Sequence, residues 1–187
     1  PDLILSDPNL DPRFGQVETL VEKASLTIGS SSVILACGAA RLGLKVAFIG
    51  LVGKDLFGDF MLQAMQDYSI DTSSVIRDSN HQTGFSVILS RGTDRAILTY
   101  PGCMSVLKAE QVSDELLQRA RHFHVSSVFL LSSIQEGLPH LYRRARSLGL
   151  TTSLDTNWDP SEKWKGVKEL LPLVDVFLPN QNEILSL

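Results

Sequence analysis

Polar side chains stand just past several apolar, strand-like runs of this chain. These residues are Asp55, Ser132 and Ser133, Asp155 and Asn157, and Asn180 and Glu183. Ligands of open parallel sheets bind at the carboxyl ends of the strands, so this repeated placement indicates a binding site. The alternative for each residue taken singly is a helix cap, because Asp, Asn and Ser side chains accept hydrogen bonds from free N–H groups at a helix start.

The stretch from Gly29 to Gly58 organises the elements that would position such a site. Val33–Ala40 predicts a tightly packed helix, which Gly43 ends as a left-handed cap. Lys45 to Gly50 predicts a short buried strand, and Asp55 stands just before the next helix.

The remaining predicted elements alternate in type, which favours a parallel α/β sheet. Predicted helices cover residues 57–68, 107–121, 138–148, 163–171 and 180–187, and predicted strands cover 83–89, 95–100, 123–131, 151–154 and 174–178. Residues 16–28 and 83–100 have strand patterns with one polar face, and they predict a small separate sheet.

The Gly29–Gly58 stretch resembles the N-terminal signature of the ribokinase-like carbohydrate kinases, the phosphofructokinase B family. That signature reads roughly Gly-Gly, Asn, Ala, Arg-Leu-Gly and Val-Gly-x-Asp-x-x-Gly. The matching residues here are Gly29, Ala36, Arg41, Leu42, Gly43, Gly50, Val52, Gly53, Asp55 and Gly58. The chain departs from it at Ser30, in place of the second Gly, and at Ile34, in place of the Asn.

Two later segments carry the same resemblance. Pro179 to Glu183 matches the family's Pro-Asn-x-x-Glu, and residues 155–160 resemble its Asp-x-Asn-x-Arg-Pro, with Asp159 in place of the Arg. The Asn180–Glu183 pair also has the spacing of a helix capping box, and both interpretations can hold together.

The resemblance implies an α/β fold: a ribokinase-like three-layer sandwich around a mostly parallel sheet, with a small β-sheet lid. Residues 1–187 would form one domain that is incomplete at its C-terminus, with lid strands from about 16–28 and 83–100. Apolar lid residues need a cover, and we expect a homodimer through the lid that buries Val17, Val21, Phe85 and Val87.

The resemblance also implies site residues. On the acceptor side these would be Asp2, Gly29, Ser30, Gly102 and Asn157, and on the nucleotide side Asn180 and Glu183, with Glu183 acting on the metal through water. A carboxylate such as Asp2 suits a sugar because it accepts from two neighbouring hydroxyls at once. No catalytic base is expected within residues 1–187, since the family's Gly-Ala-Gly-Asp segment is absent here.

The function so implied is ATP- and Mg²⁺-dependent phosphorylation of a hydroxyl group on a sugar or sugar-like molecule. A nucleoside kinase of the same fold, or a non-catalytic relative that binds a ligand or partner, remain alternatives. Asp159 would repel an anionic acceptor and Ile34 makes the pocket wall more apolar, so we expect a neutral acceptor.

Composition excludes several other classes of function. The net charge is −4 without a basic block, which argues against nucleic acid as a partner. No apolar run approaches the roughly 20 residues of a membrane span. The two cysteines form no disulfide framework and are typical of a reducing, cytoplasmic location. The four histidines have no metal-ligand spacing, so no zinc site is expected.

Overall fold

A computed structural model describes all residues from Pro1 to Leu187. The chain forms two compact units, the first from residues 1–48 and 52–103 and the second from residues 49–51 and 104–187. None of its helices has the length and apolar character that crossing a membrane requires.

The first unit contains a four-stranded sheet in the order β2-β1-β5-β6. Its strands are β1 (Asp2–Ser6), β2 (Lys23–Thr27), β5 (Phe85–Arg91) and β6 (Asp94–Tyr100). β1 runs parallel to β5, and the other neighbours are antiparallel. β5 and β6 form a hairpin, since only Gly92 and Thr93 separate them and Gly92 has a φ of 59°.

This sheet has one apolar and one mostly polar face, because side chains paired across strands point to the same side. The apolar face consists of Leu3, Leu5, Ala24, Leu26, Phe85, Val87, Leu89, Ala96, Leu98 and Tyr100. None of these residues is fully buried, and Leu98 is 62% exposed.

One expectation about this sheet is wrong. Residues 16–22 form turns and irregular chain, so Val17 and Val21 lie outside its strands. β1 is one of the two inner strands of the sheet. Residues 7–22 contain aspartates, prolines and glycine, which favour turns over an extended ladder.

The first unit's core lies between two helices, α1 (Ser31–Arg41) and α2 (Leu56–Asp67). It contains Val33, Ala36, Cys37, Val52, Met61, Met65 and Ile70. The predicted strand over residues 45–50 is wrong: the strand β3 covers Gly50–Gly53 and pairs with β4 (Val75–Asp78), and Ala47 makes only an isolated bridge to Asp71.

The second unit contains three parallel strands in the order β7-β8-β9. These are β7 (His122–Ser126), β8 (Thr151–Asp155) and β9 (Val176–Phe177). The predicted strand over residues 123–131 is too long, because a 3₁₀ turn replaces it from Val128 to Leu130. The polar end of β7 is therefore Ser126, and Ser132 and Ser133 do not follow a strand directly.

Four helices accompany these strands: α3 (Asp114–Gln118), α4 (Leu138–Ser147), α5 (Val167–Leu170) and α6 (Gln181–Ser186). α4 is amphipathic and buries Leu138, Leu141, Tyr142 and Ala145 in the unit's core. The predicted helices over residues 107–121 and 163–171 are too long, since a 3₁₀ turn occupies Ala109–Gln111, α3 covers only Asp114–Gln118, and α5 begins only at Val167.

Candidate functional site

The Val-Gly-x-Asp-x-x-Gly part of the signature forms a hydrogen-bonded brace in the first unit. The Asp55 carboxylate caps α2 by accepting from Gly58 N at 2.8 Å, and it also accepts from Thr83 N and Thr83 Oγ1, each at 2.7 Å. Thr83 Oγ1 in turn accepts from Gly53 N at 2.8 Å. Burial raises the pKa of Asp55, but these hydrogen bonds outweigh it and hold the pKa below its usual value.

The glycines of this brace allow its backbone segments to approach closely. A Cβ on Gly53 would overlap Asp55 and the Thr83 backbone, and a Cβ on Gly58 would overlap the Gly53 carbonyl, inside the 3.0 Å that real Cβ atoms keep. Asp55 thus fits the helix-cap alternative. Thr83, which the sequence pattern did not single out, is the buried partner that completes the brace.

Asp2 and Gly29, two residues predicted to bind the sugar that accepts the phosphoryl group, are neighbours in the first unit. A Cβ on Gly29 would overlap the Asp2 carboxylate, so only glycine lets the backbone and the carboxylate meet there. Asp2 shares a row with Thr27, Ser86 and Thr99 on the polar face of the sheet. Burial raises the pKa of Asp2, as expected for a carboxylate that water solvates incompletely.

Ser30 and Gly102 both have backbone conformations that favour glycine. Ser30, the residue before α1, has φ 69° and ψ 122°, and its side chain makes no cap hydrogen bond. A non-glycine residue in this sparsely populated region is strained, and such strain often accumulates at functional positions. Gly102 has φ 49° and packs directly on the backbone of Gln82 and Gly84.

At the carboxyl ends of the second unit's strands, three residues are linked by hydrogen bonds. Ser127 N donates to the Asp155 carbonyl at 3.1 Å, and Asn157 Nδ2 donates to Ser127 Oγ at 2.8 Å. Asn157 N donates to Asp155 Oδ1 at 3.3 Å. Ser127, with φ 58°, was missed from the sequence because the predicted strand ran past it.

Asn180 and Glu183 form the predicted capping box at the start of α6. Glu183 Oε2 accepts from Asn180 N at 3.0 Å and from Thr156 Oγ1 at 3.4 Å, while Oε1 accepts from Asn180 Nδ2. A carboxylate has about four acceptor positions, so roughly one remains for a metal-bound water. Glu183 is 3% exposed, and no group of three His, Cys, Asp or Glu residues could ligate a metal directly.

The expectation that Asp159 faces and repels an anionic acceptor is wrong. Its side chain is buried and accepts hydrogen bonds within its own loop, from Ser161, Lys163 and Trp164. Burial raises the pKa of Asp159, but these bonds outweigh it and lower the pKa. The carboxylate therefore organises residues 159–164. Repulsion by Asp159 no longer supports the predicted preference for a neutral acceptor.

The chain is similar to known proteins over nearly all of its length. Residues 3–187 match the model of the pfkB family carbohydrate kinases. The chain is 32% identical over 147 residues to the 5-dehydro-2-deoxygluconokinase of Geobacillus thermodenitrificans, covering 76% of this chain and 43% of that protein. It spans about half the length of the curated relatives it matches.

Solved structures show the same fold. The fructokinase of Xylella fastidiosa with bound ATP is 26% identical, with a TM-score of 0.73 over 94% of this chain and 56% of that one. The Arabidopsis thaliana ribokinase complexed with ribose and ATP is 18% identical, with a TM-score of 0.79 over 100% of this chain and 59% of that one. The ribokinase-like α/β fold predicted from the sequence is confirmed, and the chain belongs to the pfkB family of carbohydrate kinases.

Proposed function

We propose that the complete protein transfers the γ-phosphoryl group of ATP to a hydroxyl group of a sugar or sugar-like molecule. The observation that carries this proposal is the family match over residues 3–187. The relatives named as sugar kinases and the ATP bound to the fructokinase of X. fastidiosa support it. We assign no general base within residues 1–187.

In the first unit, we assign Asp2, Gly29, Ser30 and Gly102 to acceptor binding. The packing of the Asp2 carboxylate on Gly29 supports this role, because a half-buried carboxylate beside an open backbone turn can accept from two sugar hydroxyls. Ser86 and Thr99, whose hydroxyls lie 3.0 Å apart in the same row as Asp2, add further polar groups. In the second unit, we assign Asn157 to the acceptor side of the reaction.

Asn180 and Glu183 are assigned to the nucleotide side of the reaction. The remaining acceptor position of Glu183 suits a water of a hydrated Mg²⁺ ion, which in proteins keeps several of its waters. When bound, Mg²⁺ neutralises charge on the phosphates of ATP. The contribution of this chain is to hold the Glu183 carboxylate rigidly, through Asn180 and Thr156.

The test is a coupled ADP-release assay of the purified complete protein on neutral sugars, nucleosides and sugar acids, with Mg²⁺ and after chelation. We expect Mg²⁺-dependent turnover of at least one sugar. Asp2→Asn should raise the acceptor KM about tenfold or more and leave the ATP KM unchanged, since it removes a charged hydrogen-bond acceptor. Asp94→Asn, at the opposite end of the same sheet, is the matched control.

Absence of turnover on every substrate would refute the kinase proposal. Sugar binding without turnover would instead favour the non-catalytic relative. An Asp2→Asn variant whose ATP KM rises while its acceptor KM stays constant would contradict the assignment of Asp2.

We further propose a homodimer in which the apolar face of the four-stranded sheet is buried by a second copy. Its residues belong to neither buried core of the chain, and a large exposed apolar face marks an association surface. Leu98→Lys should produce a monomer in light scattering at micromolar concentration. Ile97→Lys, on the opposite face of the same strand and similarly exposed, should leave the dimer intact.

A wild-type protein that is monomeric at this concentration would refute the dimer. Equal effects of the two lysine variants would refute the choice of face. The proposed location is the cytoplasm, and the two cysteines, both buried and outside any disulfide bond, are compatible with it.

A further inference from the structure

The Asp155 carboxylate accepts fewer hydrogen bonds than a partly buried carboxylate can. It ends β8, is partly buried, and accepts one hydrogen bond, from Asn157 N at 3.3 Å. A carboxylate can accept about four. Three other acidic residues of the family motifs, Asp55, Asp159 and Glu183, each accept several hydrogen bonds from their own surroundings. The capping role that explains those residues therefore does not explain Asp155.

No cation in the second unit compensates Asp155. On the same face of the sheet, β7 presents His122, His124 and Ser126. A chain of hydrogen bonds of 2.6–2.8 Å links Thr151, His122, Ser153, His124 and Ser126 and engages all four ring nitrogens. Because Thr151 Oγ1 donates to the Arg121 carbonyl, it accepts from His122 Nδ1.

Burial lowers the pKa of His124 to about 4, so its ring is neutral near pH 7. From α6 the nearest charged group is Glu183, which is itself negative. Burial, and then the Glu183 charge, raise the pKa of Asp155. The hydrogen bond from Asn157 N lowers this pKa but does not outweigh burial, so the folded protein holds the carboxylate at a net cost.

Backbone strain is concentrated around this carboxylate. Ser127 and Asn157 both have positive φ, 58° and 55°, and both are hydrogen-bonded to Asp155 through their backbone N–H groups. Non-glycine residues in such conformations persist only where the surrounding structure enforces them, and they cluster at ligand sites. Here the Asn157 side chain holds Ser127, which fixes both neighbours of the Asp155 carboxylate.

We propose that Asp155 binds hydroxyl groups of the acceptor, that Ser127 and Asn157 are positioning residues for it, and that the acceptor is a neutral polyhydroxy compound. This inference rests on the proposed sugar-kinase function and names its substrate class. Hydroxyl donors of a ligand would supply the hydrogen bonds that the carboxylate lacks. An anionic acceptor would instead meet an uncompensated negative charge.

The test is calorimetric binding of D-fructose, D-ribose and 2-dehydro-3-deoxy-D-gluconate to the complete protein without nucleotide. The wild type should bind a neutral sugar more tightly than the sugar acid. Asp155→Asn should weaken that binding about tenfold or more and leave ATP binding unchanged. Glu162→Gln, an exposed acidic position in the following loop, should change neither.

Two further readouts separate ligand binding from a structural role. Wild-type affinity should fall as the pH drops through the raised pKa of Asp155, whereas Asp155→Asn should show no such step. Asn157→Gly should weaken binding but keep the step, because Asp155 still titrates. Asp155→Asn should also raise the melting temperature at pH 7, and this gain should vanish below the unfolded pKa of 3.8.

Unchanged sugar affinity in Asp155→Asn would overturn the inference, as would a lower melting temperature or failure of this variant to fold. Tighter wild-type binding of the sugar acid, or no binding of either neutral sugar, would overturn it as well. If Asp155-dependent sugar binding occurs without phosphoryl transfer, the inference stands and the proposed function fails. If phosphoryl transfer occurs and Asp155→Asn does not change it, the proposed function stands and the inference about Asp155 fails.

Discussion

Replacing Asp55 by alanine should strongly destabilise the first unit. The substitution removes the acceptor of three hydrogen bonds of 2.7–2.8 Å, from Gly58 N, Thr83 N and Thr83 Oγ1. Hydrogen bonds to a charged group contribute about 1.5–3 kcal/mol each, but water can replace part of them at a half-buried site. We therefore expect the free energy of unfolding to fall by about 3–4 kcal/mol, including the lost helix cap.

Thr83→Val should lower the free energy of unfolding by about 1–3 kcal/mol, because it removes the hydroxyl that joins Asp55 to Gly53 N. The double variant should lose less than the sum of the single variants, with a coupling of about 1–2 kcal/mol, since each removes the other's partner. Asp59→Ala is the matched control. Its exposed ion pair with Arg77 predicts a loss below about 1 kcal/mol.

The pH dependence provides an independent check of the Asp55 brace. Because the folded-state pKa of Asp55 is lowered, its stabilisation is fully present above the unfolded value of 3.8 and is lost as the pH falls through the lowered pKa. The stability difference between wild type and Asp55→Ala should therefore stay constant from pH 7 to about 5.

The assay is urea unfolding of the complete protein, with hydrogen exchange at the Gly58 and Thr83 amides to localise the effect. A loss below about 1 kcal/mol for Asp55→Ala, or strictly additive effects of the two single substitutions, would refute the reasoning.

Three further predictions concern other strained or buried groups. Ser30→Gly should raise the free energy of unfolding by about 1 kcal/mol in thermal melts, since it relieves the φ of 69° at a small entropic cost, and Ser30→Ala should give no gain. The pKa of His124 is lowered from 6.5 to about 4, so wild-type stability should fall as the pH drops across that interval. In His124→Gln, the melting temperature should depend less on pH over this interval, and an unchanged pH dependence would contradict the lowered pKa of His124. Glu183→Gln should lower the free energy of unfolding by about 1–2 kcal/mol and speed hydrogen exchange at the start of α6. The reason is that the amide NH₂ of Gln would face the N–H donors of Asn180, which now donate to the Glu183 carboxylate. It should also raise the Mg²⁺ concentration needed for turnover, and a shift in stability without that change would leave Glu183 a purely structural residue.

The sequence alone determined the family, the fold class and several elements with strong local signals. α1, α2 and α4 appear where apolar periodicity predicted them, and Gly43 follows α1 as predicted. The β5–β6 hairpin and the Asn180–Glu183 capping box were also readable, because turn and cap chemistry depends on residues a few positions apart.

Strand boundaries and strand partners depended on the tertiary structure. Apolar residues continue past Ser126 to Leu131, so periodicity could not show that the chain leaves the sheet at Ser127. β1 carries no local mark of its pairing with β5, some 80 residues later, because ladder partners are chosen by register and burial.

The roles of the acidic residues were decided in the same way. Asp55, Asp155, Asp159 and Glu183 look alike in the sequence, since each lies in a motif that carries the family resemblance. The folded chain gives three of them several hydrogen-bond donors and leaves Asp155 with one. A carboxylate's function depends on the donors and charges that surround it, and residues distant in the sequence bring those together only in the tertiary structure.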